Sequence, residues 1–192
     1  MASPLSSRRR AQPEPGWFFG RVLERQIAMF VPFFEWIEST AFSTGIRESI
    51  MLYPIIETSH VLTLCLFLGL ISMWDLRLLG LTLKTVRVSD MEKRILPWGQ
   101  AGFVLMVITG LLLFISTPVR ASQNIFFQVK MAMFVLAGLN AMLFHVTVYK
   151  QVENWDTDVV LPSKARMAGY LSVFLWAGVV VCGRMQAYNW FD

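Results

Sequence analysis

Only two histidines occur in the 192 residues, His60 and His145, and both fall inside long apolar runs. An imidazole is costly to keep in a bilayer and is by default a functional hypothesis. One histidine from each of two membrane helices is the donor set of a b-type haem. Neutral imidazole binds iron through one ring nitrogen, and the opposite imidazole takes the other axial position. Glu57 stands three residues before His60, so a helix puts both on one face. A carboxylate at that depth needs a partner, and Arg184, late in the last apolar run, lies at a similar level. A Glu57–Arg184 ion pair satisfies both charges. Alternatively, Arg184 and Arg47 hold haem propionates or lipid head groups, and Glu57 carries protons beside a quinone. Two further chemistries stay open for the histidines. One is hydrogen bonding across a helix bundle; the other is handling of protons or metal ions by Glu57 and His60.

These side chains must be positioned by membrane helices. The sequence is 55% hydrophobic and 16% charged with a mean hydropathy of +0.53, whereas soluble domains carry about 25% charge. Its apolar residues come in blocks of spanning length. The pattern predicts an all-α integral membrane four-helix bundle with spans over about 48–73, 97–117, 126–149 and 167–187. Pro97 fits a helix start and Pro118 a stop. The net charge of +4 suits phospholipid head groups and excludes nucleic acid as the natural partner. Residues 1–16 read as a disordered arm rich in Ser, Pro and Arg. No ordinary signal-peptide core comes directly after the arm, so the first span is expected to act as the insertion signal. Residues 17–46 mix aromatic and charged side chains around Pro32; they read as an interfacial amphipathic helix or helix pair, with a fifth span through 26–46 as the alternative. Ser39 and Thr40 are placed to cap the start of a helix.

Four spans put both ends of the chain on one side, here side A. Side B then receives Arg77, Lys84, Arg87, Lys93, Arg94, Lys150, Lys164 and Arg166. With the arm set aside, that bias makes side B cytoplasmic. Spans one and three run in the same direction, and Gly69, Gly102, Gly110, Gly138 and Gly178 leave room for a flat macrocycle. Depth is less favourable. His60 precedes Asp75 by about 15 residues and His145 precedes Lys150 by about 5, a mismatch of roughly 15 Å at about 1.5 Å per residue. A single haem on both histidines is strained; two separate sites relieve it.

Other signals are negative. Cys65 and Cys182 lie in apolar runs with no Cys or His at ligand spacing, and read as small buried hydrophobes. The 11 methionines do not cluster beyond Met131 and Met133 and serve as apolar filler. No nucleotide loop, HExxH pair, haem-attachment CxxCH or hydrolase elbow is present.

The segments FFEWIEST, IRESIMLYPIIETSHVLTLCLFLG, DLRLLGL, GFVLMVITGLLLF and KMAMFVLAGLNAMLFHVTVYKQV resemble a family of small bacterial inner-membrane proteins of unknown function. The likeness covers roughly residues 33–190 and omits the Arg-rich arm. ETSH (Glu57 to His60) and LNAMLFHVTVYK (Leu139 to Lys150) carry most of it. The resemblance implies a four-helix membrane fold with a histidine in spans one and three, and implies no activity. The layout is more loosely similar to membrane b-type cytochromes and CopD-like membrane domains, an analogy of fold and not of function. The leading expectation is an electron-transfer protein binding haem b through His60 and His145, with Arg47 and Arg184 at the propionates, exchanging electrons with a redox partner or quinone. A non-catalytic membrane subunit and a small metal or proton transporter are the alternatives.

Overall fold

The computed structural model describes residues 29–158 and 160–188; the arm and residues 17–28 lie outside them. Residues 29–39 are helical (α1). The helix breaks at Thr40, whose hydroxyl donates to Ile37 O at 2.7 Å and accepts the Ser43 N–H at 3.3 Å, capping α2 (Ala41–Glu48). The stretch 29–48 is therefore two helices and not one continuous span. α2 is amphipathic and buries Ser43 and Ile46; the Ser43 hydroxyl donates to Ile115 O at 2.8 Å, tying it to the end of a later helix.

The chain continues through α3 (Leu52–Leu78), α4 (Val88–Ser116), α5 (Pro118–Gln123), α6 (Ile125–Leu143) and α7 (Ser163–Met185). α6 runs on through a π turn, Phe144–Val148, and a 3-10 segment, Tyr149–Asn154. Four helices, α3, α4, extended α6 and α7, are long and apolar enough to cross a membrane. Their apolar residues spread around the whole circumference, as lipid-facing helices require. The fold is an all-α, multi-pass membrane bundle.

Two span boundaries differ from the sequence reading. α4 begins at Val88 and contains Pro97, the residue expected to start it. The charges Asp90, Glu92, Lys93 and Arg94 resemble a connector, but they occupy the first turns of α4. α3 continues through Asp75 and Arg77 to Leu78. Both charged residues resemble an exit to water, yet they are 3% and 0% exposed. Gly80 takes a positive φ of 70° and its N–H donates to Arg77 O at 3.0 Å, the usual left-handed helix stop. The next loop folds back, and Arg77 Nε donates to Val86 O at 2.9 Å.

α3 and α4 form one hairpin and α6 and α7 the other, and α3 also packs on α7. Gly169 makes that crossing close: a Cβ there would stand 3.3 Å from Leu78 Cβ and 3.4 Å from Asp75 O. Asp75 hydrogen-bonds Ser172 of α7 nearby. The backbones of α4 and α6 stay apart among the described residues. Stacked rings bridge them, Phe103 on Phe134 at 5.6 Å and Phe114 on Phe127 at 5.4 Å. Phe67 and Trp176 complete a mid-bundle aromatic cluster, 4.8 Å apart. The most buried cluster lies at the side B end, where Leu78, Val88, Phe144, Trp155, Leu161 and Ala165 pack together beneath the connectors.

Asp156 anchors that end. Its Oδ1 accepts the Ser89 N–H at 2.8 Å and its Oδ2 the Ser89 hydroxyl at 2.7 Å. These bonds cap the start of α4 from a distant connector. Burial pushes the Asp156 carboxyl up, but the Ser89 hydroxyl and amide, Arg87 and the Val88 amide outweigh it and hold it below the ordinary carboxylate value. A lowered folded value means the stabilisation is complete above the unfolded value and is lost as pH falls through the folded one. Asp156→Asn is expected to lower stability at neutral pH by about 1 kcal/mol, the usual size of a lost cap. It should also flatten the acid limb of a thermal-melt series in detergent. An unchanged acid limb contradicts this assignment.

Candidate functional site

The two histidines occupy separate environments. His60 turns from α3 onto α4. Its Nδ1 lies 3.1 Å from Met106 O and 3.0 Å from Thr109 Oγ1. The carbonyl only accepts, and the Thr109 hydroxyl has acceptors of its own in Leu105 O at 2.8 Å and Met106 O at 3.1 Å. The tautomer with the proton on Nδ1 satisfies both contacts. In the neutral ring Nε2 keeps its lone pair, and no hydrogen bond reaches it among the described residues. A backbone carbonyl fixing the Nδ1 proton is the common way of presenting Nε2 as a ligand. Gly110 permits the close approach: a Cβ there would stand 3.0 Å from His60 Cε1. Among the other glycines considered for a macrocycle, Gly102 abuts Phe67 while Gly69 and Gly138 have open space.

Lys130 of α6 is near enough for its charge to act on His60. Its Nζ donates to Gln186 Oε1 at 2.9 Å and sits 4.9 Å from the Phe127 ring centre. Sequence reasoning gives Lys130 no role at the site. A lone cation among the apolar residues of a span is the signal that could have found it.

His145 sits in the π turn near side B. Its Nδ1 lies 2.8 Å from Ala141 O and its Nε2 3.3 Å from Glu92 Oε1 on α4. Tyr149, one turn on, also hydrogen-bonds Glu92. His60 meets α4 at Met106 and Gly110, whereas His145 meets it at Glu92. Those levels are about 14 residues, or roughly 20 Å, apart at about 1.5 Å per residue. The structure does not bring His60 and His145 together: they meet α4 at different levels. The depth mismatch read from the apolar runs is the cause: His60 lies in the side A half of α3, and His145 in the last turns of extended α6.

The arginines assigned to propionates are engaged elsewhere. Arg47 Nη1 is 3.4 Å from Glu38 Oε1 and donates to Ser116 O at 3.2 Å, so it caps the end of α4. Arg184 Nη2 donates to the Tyr188 hydroxyl at 3.1 Å and its guanidinium lies over that ring. It does not pair with Glu57. Arg184 is exposed on α7, and Glu57 is exposed on α3 while His60 is half-buried against α4. Glu57 and His60 accordingly do not converge on one ion. Asn140, expected to bond across the bundle, donates from Nδ2 to Ala168 O at 3.0 Å. An open groove at the α1–α5 junction is lined by Glu35, Glu38, Ser39 and Val119; Glu38 is occupied there by Arg47 and by the Val119 N–H at 3.3 Å.

Gly110→Val should push the His60 ring off Met106 and Thr109 and cost about 1–3 kcal/mol, as over-packing does. Gly138→Val, in open space, is the control. The readout is the ¹⁵N spectrum of histidine-labelled protein, in which the His60 resonances move in the first variant and hold in the second. Unmoved resonances in both contradict the packing described.

No curated protein and no solved structure matches the chain. Residues 33–189 match a family of unknown function (DUF6644). The match spans most of the sequence, including both histidines and all four membrane-spanning helices, and the chain belongs to that family.

Proposed function

We propose that this protein is a membrane electron-transfer subunit that holds one b-type haem through His60 alone. One observation carries the reading. The His60 imidazole is fixed through Nδ1 and leaves Nε2 unpaired, beside the cation Lys130 and the aromatic seam between α4 and α6. His60 would supply one nitrogen ligand to the iron. Met106 and Thr109 hold its tautomer, Gly110 lets the ring lie flat, and Lys130 is the cation placed to meet a carboxylate. A haem bound there would supply one-electron chemistry, and the protein's share is orientation and electrostatics. His145 has no part in this site. Electrons would pass to a redox protein or a quinone, in a bacterial inner membrane with side B facing the cytoplasm.

A second reading is favoured by the stacked pairs Phe103–Phe134 and Phe114–Phe127. These rings fill the seam that a macrocycle would enter, so a haem requires them to turn aside. If they stay, the chain is a non-catalytic membrane subunit and His60 is a cross-helix hydrogen bond.

The reduced-minus-oxidised absorption spectrum of protein made with haem in supply separates the two. The haem reading expects a b-type α-band that is lost in His60→Ala and kept in His145→Ala. A flat spectrum from folded wild-type protein, or a band lost only in His145→Ala, sinks it. The flat spectrum transfers the assignment to the structural subunit.

A further inference from the structure

The His145–Glu92 contact is independent of what His60 holds. Ring nitrogen Nδ1 faces only the Ala141 carbonyl, which accepts, at 2.8 Å. Ring nitrogen Nε2 faces Glu92 Oε1 at 3.3 Å, and Glu92 already takes a hydrogen bond from the Tyr149 hydroxyl. Tyr149 can only donate to an ionised carboxylate, and an ionised carboxylate only accepts. Both nitrogens of His145 thus face acceptors. A neutral imidazole has one N–H, and in either tautomer it would set a lone pair against a lone pair. The arrangement closes only when the contact holds a shared proton, with Nδ1–H on Ala141 O and one hydrogen between Nε2 and Glu92 Oε1.

We infer that His145 and Glu92 form a proton-binding site at the side B end, a clasp that ties the π turn after α6 to α4 while the contact holds its shared proton. The location gives the clasp leverage. The α4 and α6 backbones stay apart up to the π turn and are bridged there by stacked phenyl rings; at the side B end Phe144 shares a buried cluster with Val88 and the 3-10 segment touches α4. Single π turns inside helices recur at functional positions; here the turn aims His145 at Glu92.

The surroundings contain few competing charges. Glu92 faces the ring from α4. Tyr149 faces it from the 3-10 segment, its ring centre 5.4 Å away. Asp156 of the connector acts on Tyr149 and is bonded to Ser89. From α3 the nearest neighbour is Trp74, packed on Phe144 and Tyr149. α7 packs on the π turn and forms no ion pair with it among the described residues. When the shared proton leaves, the contact loses its hydrogen bond. The π turn separates from α4, and the seam loosens at its side B end.

The test uses full-length protein in lipid nanodiscs, labelled with ¹⁵N-histidine. With two histidines in the chain, His145→Ala assigns the signals. In a pH series, the His145 signal reports where the contact loses its shared proton. Hydrogen exchange across residues 144–148, corrected for its intrinsic pH dependence, should rise severalfold over that same step. In Glu92→Ala the fast exchange should persist at every pH, with the thermal melt showing the bundle still folded. Tyr149→Phe keeps the Glu92 acceptor and should retain the coupling between protonation and exchange. The proposal is overturned if exchange at the π turn ignores the protonation of His145. It is equally overturned if Glu92→Ala exchanges as the wild type does.

Discussion

A polar side chain on a membrane helix must end on a partner, because lipid offers none. Hydroxyls such as Thr63 and Thr147 bond back within their own helix, but several of the other partners lie on another element. His60 of α3 ends on Met106 and Thr109 of α4. Asn140 of α6 ends on Ala168 of α7, and Asp75 of α3 on Ser172 of α7. Lys130 of α6 reaches Gln186 beyond the end of α7, and Glu92 of α4 reaches His145 in the π turn. Burying apolar area does little to hold helices together in lipid, so polar bonds and close small-residue contacts decide the arrangement. Sliding one helix by a single turn would strand several of these groups at once. That constraint fixes the register, and the register fixes the depth of each histidine.

The same bonds divide the bundle into two halves. On the side A half, His60 of α3 meets Thr109 of α4, and the charge of Lys130 on α6 acts on it. On the side B half, His145, Glu92 and Tyr149 gather where the connectors fold over the helix ends. Between them lies the ring cluster of Phe67, Phe103, Phe134 and Trp176. An apolar aromatic layer separating two polar sites argues against a single shared cofactor, whatever each half does.

Long apolar runs show plainly in a sequence, because length and hydropathy alone decide whether a helix spans lipid. All four spans, their order and the Thr40 cap are legible in this way. Helix ends are not. Val88 to Leu96 is charged enough to pass for a connector, and the tertiary cap from Asp156 together with the burial of Val88 and Met91 holds it as the start of α4. Arg77 and Asp75 carry the charge of an exit signal, yet the fold-back at Gly80 and the crossing at Gly169 enclose them. Both histidines stand out at once, since they are rare and lie in apolar runs. Their partners Thr109, Glu92 and Lys130 come from other helices, and no spacing along the chain encodes that proximity. Arg47 and Arg184 have the charge and depth of propionate partners, and the bonds to Ser116 and Tyr188 that occupy them are products of the fold.

The claim on which the functional reading turns is that His60 and His145 belong to different halves of the bundle. A spin-label distance in lipid tests it most directly. Labels are placed by His60→Cys and His145→Cys, with the native Cys65 and Cys182 replaced by serine. Two levels about 14 residues apart on α4 require a separation of roughly 20 Å or more. A separation no greater than that between two ligands of one metal ion would contradict the account and restore a shared haem.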